Sequence, residues 1–210
     1  PDKQPTPRDC LNAVSLVDRI LEVLPQTQCT RCGFPDCAAY ADAIASGEAA
    51  INQCPPGGYE GIHRLSAVTG QAFVPLNPDN GVQSPRSVVW IDENWCIGCT
   101  LCIEACPVDA IIGTHKRMHT VIESECTGCE LCLPVCPVDC MLLKNVSGEA
   151  SGWDAWSASA AEQARQRYAA RQARLSAPVV VAPSLPEMHK QSRVQAALAR
   201  AKVHISASED

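Results

Sequence analysis

Two cysteine runs in the second half of the sequence share one spacing, Cys-x2-Cys-x2-Cys-x3-Cys-Pro. They are CIGCTLCIEACPVDAI (residues 96–111) and CTGCELCLPVCPVDCM (residues 126–141), and they align without gaps at an offset of 30. Three thiols at i, i+3 and i+6 can wrap a tight loop around several metal atoms. Structural zinc sites instead use two separated pairs of ligands, whereas thiolates at this spacing are typical of 4Fe–4S clusters. The repeat therefore predicts two such clusters.

The fourth cysteine of each run is predicted to cross to the other cluster, as it does in bacterial ferredoxins. Each cluster then takes three ligands from one run and one from the other. We define the second quartet as Cys96, Cys99, Cys102 and Cys136, and the third quartet as Cys106, Cys126, Cys129 and Cys132. Gly98 and Gly128 would let the backbone approach the clusters closely.

Apolar residues inside the runs are expected to form a shell that limits water around the clusters. These residues are Ile97, Leu101, Ile103, Val108, Ile111, Leu131, Leu133 and Val138. Trp95, next to Cys96, is predicted to pack in the same shell, and a role as an electron relay is the alternative.

A further group of four cysteines, the first quartet, lies in the N-terminal part and comprises Cys29, Cys32, Cys37 and Cys54. Four soft ligands suit zinc as well as a third 4Fe–4S cluster. The cluster is favoured because Cys54-Pro55 repeats the Cys-Pro that closes both later runs. Gly33 and Pro35 also shape the loop between the ligands, as small residues do in the later runs. Zinc at these four cysteines is the alternative.

The composition indicates a reducing compartment. The chain has 210 residues and 14 cysteines, and close Cys-x2-Cys pairs without a signal peptide favour metal binding over disulfides. No uncharged apolar stretch approaches the ~18 residues of a membrane span. Residues 1–150 carry 9 Lys/Arg and 18 Asp/Glu, a net charge of −9, whereas residues 151–210 have a net charge of +3. An acidic body argues against nucleic-acid binding there.

The fold class expected is α+β, in an order set by composition and periodicity. We predict a polar leader (1–13), a small helical four-cysteine domain (14–76), a linker (77–86), a two-cluster ferredoxin-like domain (87–146) and a basic Ala/Arg-rich tail that is helical, solvated and partly disordered (147–210). Helices are predicted over 14–24, 37–46, 60–69, 161–175 and 188–202, and strands over 87–91 and 119–122.

These motifs resemble a known family. LPQTQCTRCGFPDC and AINQCPPGG around the first quartet, then CIGCTLCIEACPVDAI, then KRMHTVIESECTGCELCLPVCPVDC, are similar to the B subunit of the bacterial Rnf-type electron-transport complex over residues 15–146. The resemblance implies a multi-cluster iron–sulfur protein that exchanges electrons with ferredoxin, inside a complex that couples electron flow between ferredoxin and NAD to ion movement across the inner membrane. It also implies a 4Fe–4S cluster on the first quartet.

The expected function is therefore transfer of single electrons between ferredoxin, or a similar donor, and a flavin-containing or membrane oxidoreductase complex. The expected location is the cytoplasm, at the cytoplasmic face of the inner membrane. The B subunit of that family begins with a membrane-spanning helix and this sequence shows none, which predicts either a shortened chain or a soluble relative that serves another reductase. A free-standing adaptor for an unrelated reductase, or a zinc-stapled binding module with a basic tail, are the alternatives.

No catalytic site of its own is evident in the sequence. It has no G-x-G-x-x-G or Walker motif, so no nucleotide site is expected. Of the two remaining cysteines, Cys140 is predicted to be a buried small apolar residue and Cys10 a free thiol. The five histidines lack ligand spacing and are expected to have surface or structural roles.

Overall fold

The computed structural model describes residues 15–178 and 195–198. The predicted leader with Cys10, and most of the helix predicted over 188–202, lie outside these residues; within that helix, residues 195–198 are helical.

Three helices build the N-terminal part, and each begins or ends at a residue suited to it. Helix α1 (Leu16–Glu22) begins at Ser15, whose hydroxyl accepts a hydrogen bond from the Asp18 amide. Helix α2 (Cys37–Ser46) begins at Asp36, whose carboxylate accepts from the Ala39 amide, and ends at Gly47 with φ +81°. Helix α3 (Gly58–Thr69) ends at Gly70, also at positive φ. The helices predicted over 14–24, 37–46 and 60–69 are thus present.

The three helices enclose an apolar core that supports the first quartet. Cys32 packs against its largest fully buried members, which are Ile20, Leu24, Tyr40, Ile51, Ile62 and Leu65. The Tyr40 hydroxyl donates to the Ala50 carbonyl at 2.7 Å and accepts from the Gln53 amide. This pair of bonds fixes the segment that leads to Cys54.

The repeated part forms two small antiparallel ribbons, and each ribbon contains one strand from each repeat. Strand β1 (Ser87–Ile91) pairs with β4 (Met141–Asn145), and β2 (Ile111–Ile112) pairs with β3 (Thr120–Val121). The first strand of each repeat is therefore hydrogen-bonded to the last strand of the other. This exchange brings each fourth cysteine toward the opposite run.

Only the first repeat contains a helix between its cysteines. Helix α4 (Leu101–Ala105) lies between Cys99 and Cys106, whereas residues 131–135 of the second repeat form turns. Pro134 stands where the first repeat has Glu104, and proline lacks the backbone N–H that a helix interior needs.

Helix α5 (Ala158–Ser176) contains the helix predicted over 161–175, and it differs from the predicted solvated tail because one of its faces packs against the rest of the chain. Ala161 and Ala164 are buried, and Arg171 and Arg174 each pair with Asp109 at 2.7 Å. The charge asymmetry in the sequence therefore reflects contact between basic α5 and the acidic body. The sequence could not indicate these ion pairs, because Asp109 lies about 60 residues before the arginines.

Further contacts join the four-cysteine part to the ferredoxin-like part within one compact unit that extends to Leu175. The Thr127 hydroxyl donates to the Thr27 carbonyl at 3.0 Å, and Arg31 forms an ion pair with Glu130 at 2.8 Å. The Trp156 indole donates to the Pro25 carbonyl. Among the described helices, none has the length and apolar character required to cross a bilayer.

Candidate iron–sulfur sites

The four cysteines of the third quartet line one common space. Three of them come from the second run, and Cys106 comes from the end of the first. The rest of the lining is largely apolar and includes Val89, Val108 and Ile111. The Ala110 amide donates a hydrogen bond to Cys106 Sγ at 3.2 Å. The fold thus brings Cys106 of the first run to the three cysteines of the second run, as the spacing predicts.

The four cysteines of the second quartet line a separate space. Here three cysteines belong to the first run, and Cys136 reaches in from the second. Ile91, Val138 and Met141 contribute apolar lining, as their counterparts do in the other space. Cys140 also lines it, and its sulfur lies 3.5 Å from Cys136 Sγ. Cys140 is buried, as predicted, but it faces the second quartet as well as the core.

The first quartet is held between α2, α3 and the loop before α2. Cys37 is the first residue of α2, and its amide donates to the buried Gln28 side chain at 2.9 Å. Burial raises the pKa of Cys54, and the nearness of the Cys29, Cys37 and Cys32 thiols raises it further, so the four thiols lie in one neighbourhood. Gly57 approaches the Cys54 sulfur closely enough that a Cβ there would lie 3.4 Å from it.

Burial favours the protonated form of most of these thiols in the absence of a bound metal. It raises the pKa of Cys37 to about 12, of Cys132 to about 12, and of Cys102 to about 11. Neighbouring thiolates raise these values further, since like charges in a buried site repel one another. A bound metal removes this penalty by pairing with the thiolate, so loading of the quartets must release protons.

Cys136 differs from the other ligand candidates. Burial acts to raise its pKa, but hydrogen bonds from the Val138 and Cys140 amides outweigh that effect and lower the pKa. A sulfur that is stabilised as the thiolate by backbone donors suits an anionic iron ligand.

The donor sets fit iron–sulfur clusters. Each quartet offers four thiols and no competing carboxylate ligand set, and the second and third quartets surround apolar spaces. Among residues 15–178 and 195–198, no three His, Cys, Asp or Glu side chains converge as ligands of one ion. Instead, the four thiols of the second quartet line one space, and the four thiols of the third quartet line another.

Part of the predicted apolar shell is on the surface. Trp95 is 68% exposed and Ile97 57% exposed, so neither packs around a cluster as expected, and Leu101 is exposed as well. Val108 and Ile111 are buried as predicted, and the other members are partly buried. The three residues whose predicted burial was wrong lie around Cys96 and Cys99, where the loop that carries these cysteines runs along the surface. The second quartet is therefore adjacent to an exposed apolar patch.

His119 is the functional candidate that the sequence analysis missed. Its side chain is 1% exposed, lines the space of the second quartet, and places Nδ1 3.2 Å from Cys102 Sγ. Its backbone amide donates to Cys96 Sγ at 3.4 Å. The signal was available, because His119 aligns with Val89 at the offset of 30, and a polar residue at an otherwise apolar strand position is informative.

Comparison with known families agrees with the cysteine chemistry. A family described as "4Fe-4S dicluster domain" matches residues 89–143 and so covers the second and third quartets. A family described as "Putative Fe-S cluster" matches residues 24–56, which contain the whole first quartet. No solved structure shows a significant match.

Several curated relatives are named as the B subunit of an ion-translocating oxidoreductase complex. One from Azoarcus sp. (strain BH72) is 59% identical over 138 residues, which cover 66% of this chain and 75% of the relative. One from Alkalilimnicola ehrlichii is 50% identical over 156 residues, or 73% of this chain and 83% of the relative. One from Thiobacillus denitrificans is 59% identical over 107 residues, or 51% and 57% of the two chains.

Proposed function

The chain belongs to the B-subunit family of ion-translocating oxidoreductase complexes, and on that premise we propose that it carries three 4Fe–4S clusters. It is an iron–sulfur electron-transfer subunit of such a complex. We further propose that it passes single electrons between ferredoxin, or a similar low-potential donor, and a flavin-containing or membrane-bound part of the complex.

The observation that carries the proposal is the exchange of ligands between the two runs. Each of the two spaces is lined by three cysteines from one run and the fourth from the other. That arrangement is the one by which tandem runs hold two 4Fe–4S clusters. It supports assigning the second quartet to one cluster and the third quartet to the other.

The first quartet is assigned to the remaining cluster. The match of residues 24–56 to an iron–sulfur family supports this over zinc, and the shared neighbourhood of the four thiols supports their binding one common group. The donors that would hold the cluster are Cys29, Cys32, Cys37 and Cys54.

A 4Fe–4S cluster supplies, when bound, a site that takes up and releases one electron at a time. The chain's own residues hold that site and set its surroundings. Val108, Ile111 and Val89 exclude water around the third quartet, and backbone amides of Ala110 and His119 donate to Cys106 and Cys96. Such donors stabilise negative charge on sulfur, so they are means of setting reduction potential.

The contacts between the two parts support one order of the three proposed sites. The third quartet faces the first, since Thr127 and Glu130, beside Cys126 and Cys129, contact Thr27 and Arg31, beside Cys29 and Cys32. The second quartet lies on the other side, next to exposed Trp95 and Ile97. An electron would pass through the third quartet on its way between the first quartet and this exposed face.

The exposed face is where we place an electron-transfer partner. Solvent-exposed apolar residues beside a redox site are typical of a docking patch. The body of the chain is acidic, with a net charge of −9 over residues 1–150. A partner that presents Lys and Arg would be steered toward it, and the attraction would weaken with salt. Docking on the other subunits of the complex would hold the chain at the membrane surface.

Anaerobic electron transfer tests the function directly. The cluster-loaded chain, titrated with a low-potential reductant, should accept about three electrons, one for each cluster. Stopped-flow mixing with a reduced 2×4Fe–4S ferredoxin should then show electron transfer to the chain. Uptake of fewer electrons, or no reaction with such a donor at any salt, would contradict the proposal.

A further inference from the structure

The two repeats place different residues at equivalent positions beside the second and third quartets. At the offset of 30, Val89 corresponds to His119 and Ala110 corresponds to Cys140. Val89 and Ala110 both line the space of the third quartet, and His119 and Cys140 both line the space of the second. The ligands are duplicated, but the polarity of these two neighbours is not.

His119 is built into the second quartet at two points. Its backbone amide donates to Cys96 Sγ at 3.4 Å, and its Nδ1 lies 3.2 Å from Cys102 Sγ. A thiolate bound to iron has no proton to give, so Nδ1 must be the donor of this hydrogen bond. Nε2 is buried and has no hydrogen-bond partner among the described residues. The contact to Cys102 is therefore the ring's one polar contact there.

The fold makes room for the imidazole ring at a position where the other repeat has a large side chain. In the β1–β4 ribbon, Val89 lies opposite Leu143. Continuing the β2–β3 register by one residue places Gly113 opposite His119. A Cβ at Gly113 would overlap the His119 ring, and Gly113 has φ +156°. Gly113 corresponds to Leu143 at the offset of 30, so a small residue accompanies the large ring and a large residue accompanies the small valine.

We propose that His119 is a potential-setting residue that makes the cluster on the second quartet easier to reduce than it would be without the donated hydrogen bond. Reduction adds one negative charge, which is shared by the ligand sulfurs. An N–H aimed at Cys102 Sγ stabilises that charge, in a buried site where water cannot. Val89 offers no such donor to the third quartet. This inference rests on the proposed function, because it requires a cluster on the second quartet.

The consequence concerns the exposed face of the chain. The cluster whose reduction His119 favours is the one beside exposed Trp95 and Ile97. The hydrogen bond therefore favours an electron at the site where a partner in contact with these residues would take it up or deliver it.

The test is a redox titration of the cluster-loaded protein followed by electron paramagnetic resonance. His119→Leu removes the donor and keeps an apolar side chain, so the ratio of reduced to oxidised second-quartet cluster at fixed potential should fall about tenfold. This fall corresponds to a midpoint about 59 mV lower for a one-electron step. His119→Gln keeps an N–H donor and should fall between wild type and His119→Leu.

Val89→Leu is the matched control, because it places the same residue at the equivalent position and removes no donor. It should leave the second-quartet midpoint unchanged. Unchanged midpoints in His119→Leu at full iron content would overturn the inference. An equal loss in His119→Gln would mean that side-chain size, and not the donated hydrogen bond, is responsible, and would overturn it too.

A second measurement uses the unaltered protein and does not depend on how the variants fold. Histidine labelled with ¹⁵N in the ring should give a nitrogen coupling to one reduced cluster in pulsed spectra, and His119→Gln should abolish it. Absence of any ring coupling in the unaltered protein would overturn the inference. Loss of clusters from the second quartet of the unaltered protein, seen as missing iron, would instead contradict the proposed function.

Discussion

The second and third quartets have the same ligands at the same spacing but different neighbours. A backbone amide donates to sulfur at both, from Ala110 to Cys106 and from His119 to Cys96. The side chains then diverge, since the third quartet has Val89 where the second has His119. The third also lies against the four-cysteine part of the chain, whereas the second borders the exposed patch around Trp95.

The difference separates two kinds of information in a duplicated unit. The residues common to both repeats, cysteine, glycine and proline, determine what is bound. The residues that differ between them determine polarity, access and contacts. A repeat that looks symmetrical in its ligands can therefore hold two unequal redox sites.

Removing the crossing cysteines should have the largest effect and should separate the two sites. Cys136→Ala should lose the second-quartet cluster and Cys106→Ala the third, each with about four fewer iron atoms per chain. The ring-nitrogen coupling from His119 should disappear in Cys136→Ala and persist in Cys106→Ala. Iron analysis and pulsed resonance on the two variants measure these effects. The reverse pattern would mean that Cys136 binds the third cluster and Cys106 the second.

A substitution that fills the space beside His119 should have the second largest effect. Gly113→Ala would force the new Cβ against the imidazole ring, at an expected cost of about 1–3 kcal/mol in apparent stability, together with loss of the ring coupling. Gly148→Ala is the control, because Gly148 also has positive φ but has open space around the position of a Cβ. It should cost about 1 kcal/mol and leave the coupling intact. Anaerobic thermal unfolding measures the first effect, and an unchanged coupling in Gly113→Ala would contradict the packing argument.

The repeats also differ at the aspartate of each CPVD segment. Burial acts to raise the pKa of Asp109, but hydrogen bonds from Arg174 and Arg171 of α5 lower it overall. Its counterpart Asp139 is exposed and has no ion pair among the described residues. Asp109→Asn should lower apparent stability by about 1 kcal/mol, and less in high salt, because two partly exposed ion pairs are lost.

Asp139→Asn provides the comparison for this change and should stay within about 0.5 kcal/mol of wild type. Denaturant unfolding of both variants under anaerobic conditions gives the two values. Equal effects of the two substitutions would mean that α5 contributes nothing through Asp109.

The smallest effect is expected at Cys140. Its thiol is a weak donor toward Cys136 Sγ at 3.5 Å, so Cys140→Ala should lower the reduced-to-oxidised ratio of the second cluster roughly threefold at most, or about 30 mV. Ala110→Cys introduces the same thiol beside the third quartet and should raise that cluster's midpoint by a similar amount. A shift in Cys140→Ala larger than that of His119→Leu would reverse the order of the two contributions.

The ligand sets and much of the local structure could be predicted from sequence because they depend on short-range patterns. Cysteine spacing, the Asp36 and Gly47 caps of α2 and the strand at residues 87–91 are all visible within a few residues. The packing of α5 was not, since its arginines find Asp109 and Glu104 only after folding. Trp95 was misplaced because an apolar residue beside a ligand looks the same whether the loop lies in the core or on the surface.

His119 lies between these two cases. Its alignment with Val89 was available from the repeat, but its hydrogen bond to Cys102 depends on the β2–β3 ribbon and on Gly113. Neither the ribbon register nor the close approach of the ring can be deduced from the spacing of cysteines. Positions where a duplicated unit departs from its own pattern are therefore worth inspecting first.

The most direct test of the central claim is the metal content of anaerobically purified protein. Three clusters predict about twelve iron and about twelve acid-labile sulfide per chain, with no zinc. About eight iron with one zinc would contradict the account at the first quartet, and would leave the second and third quartets as the only redox sites of the chain.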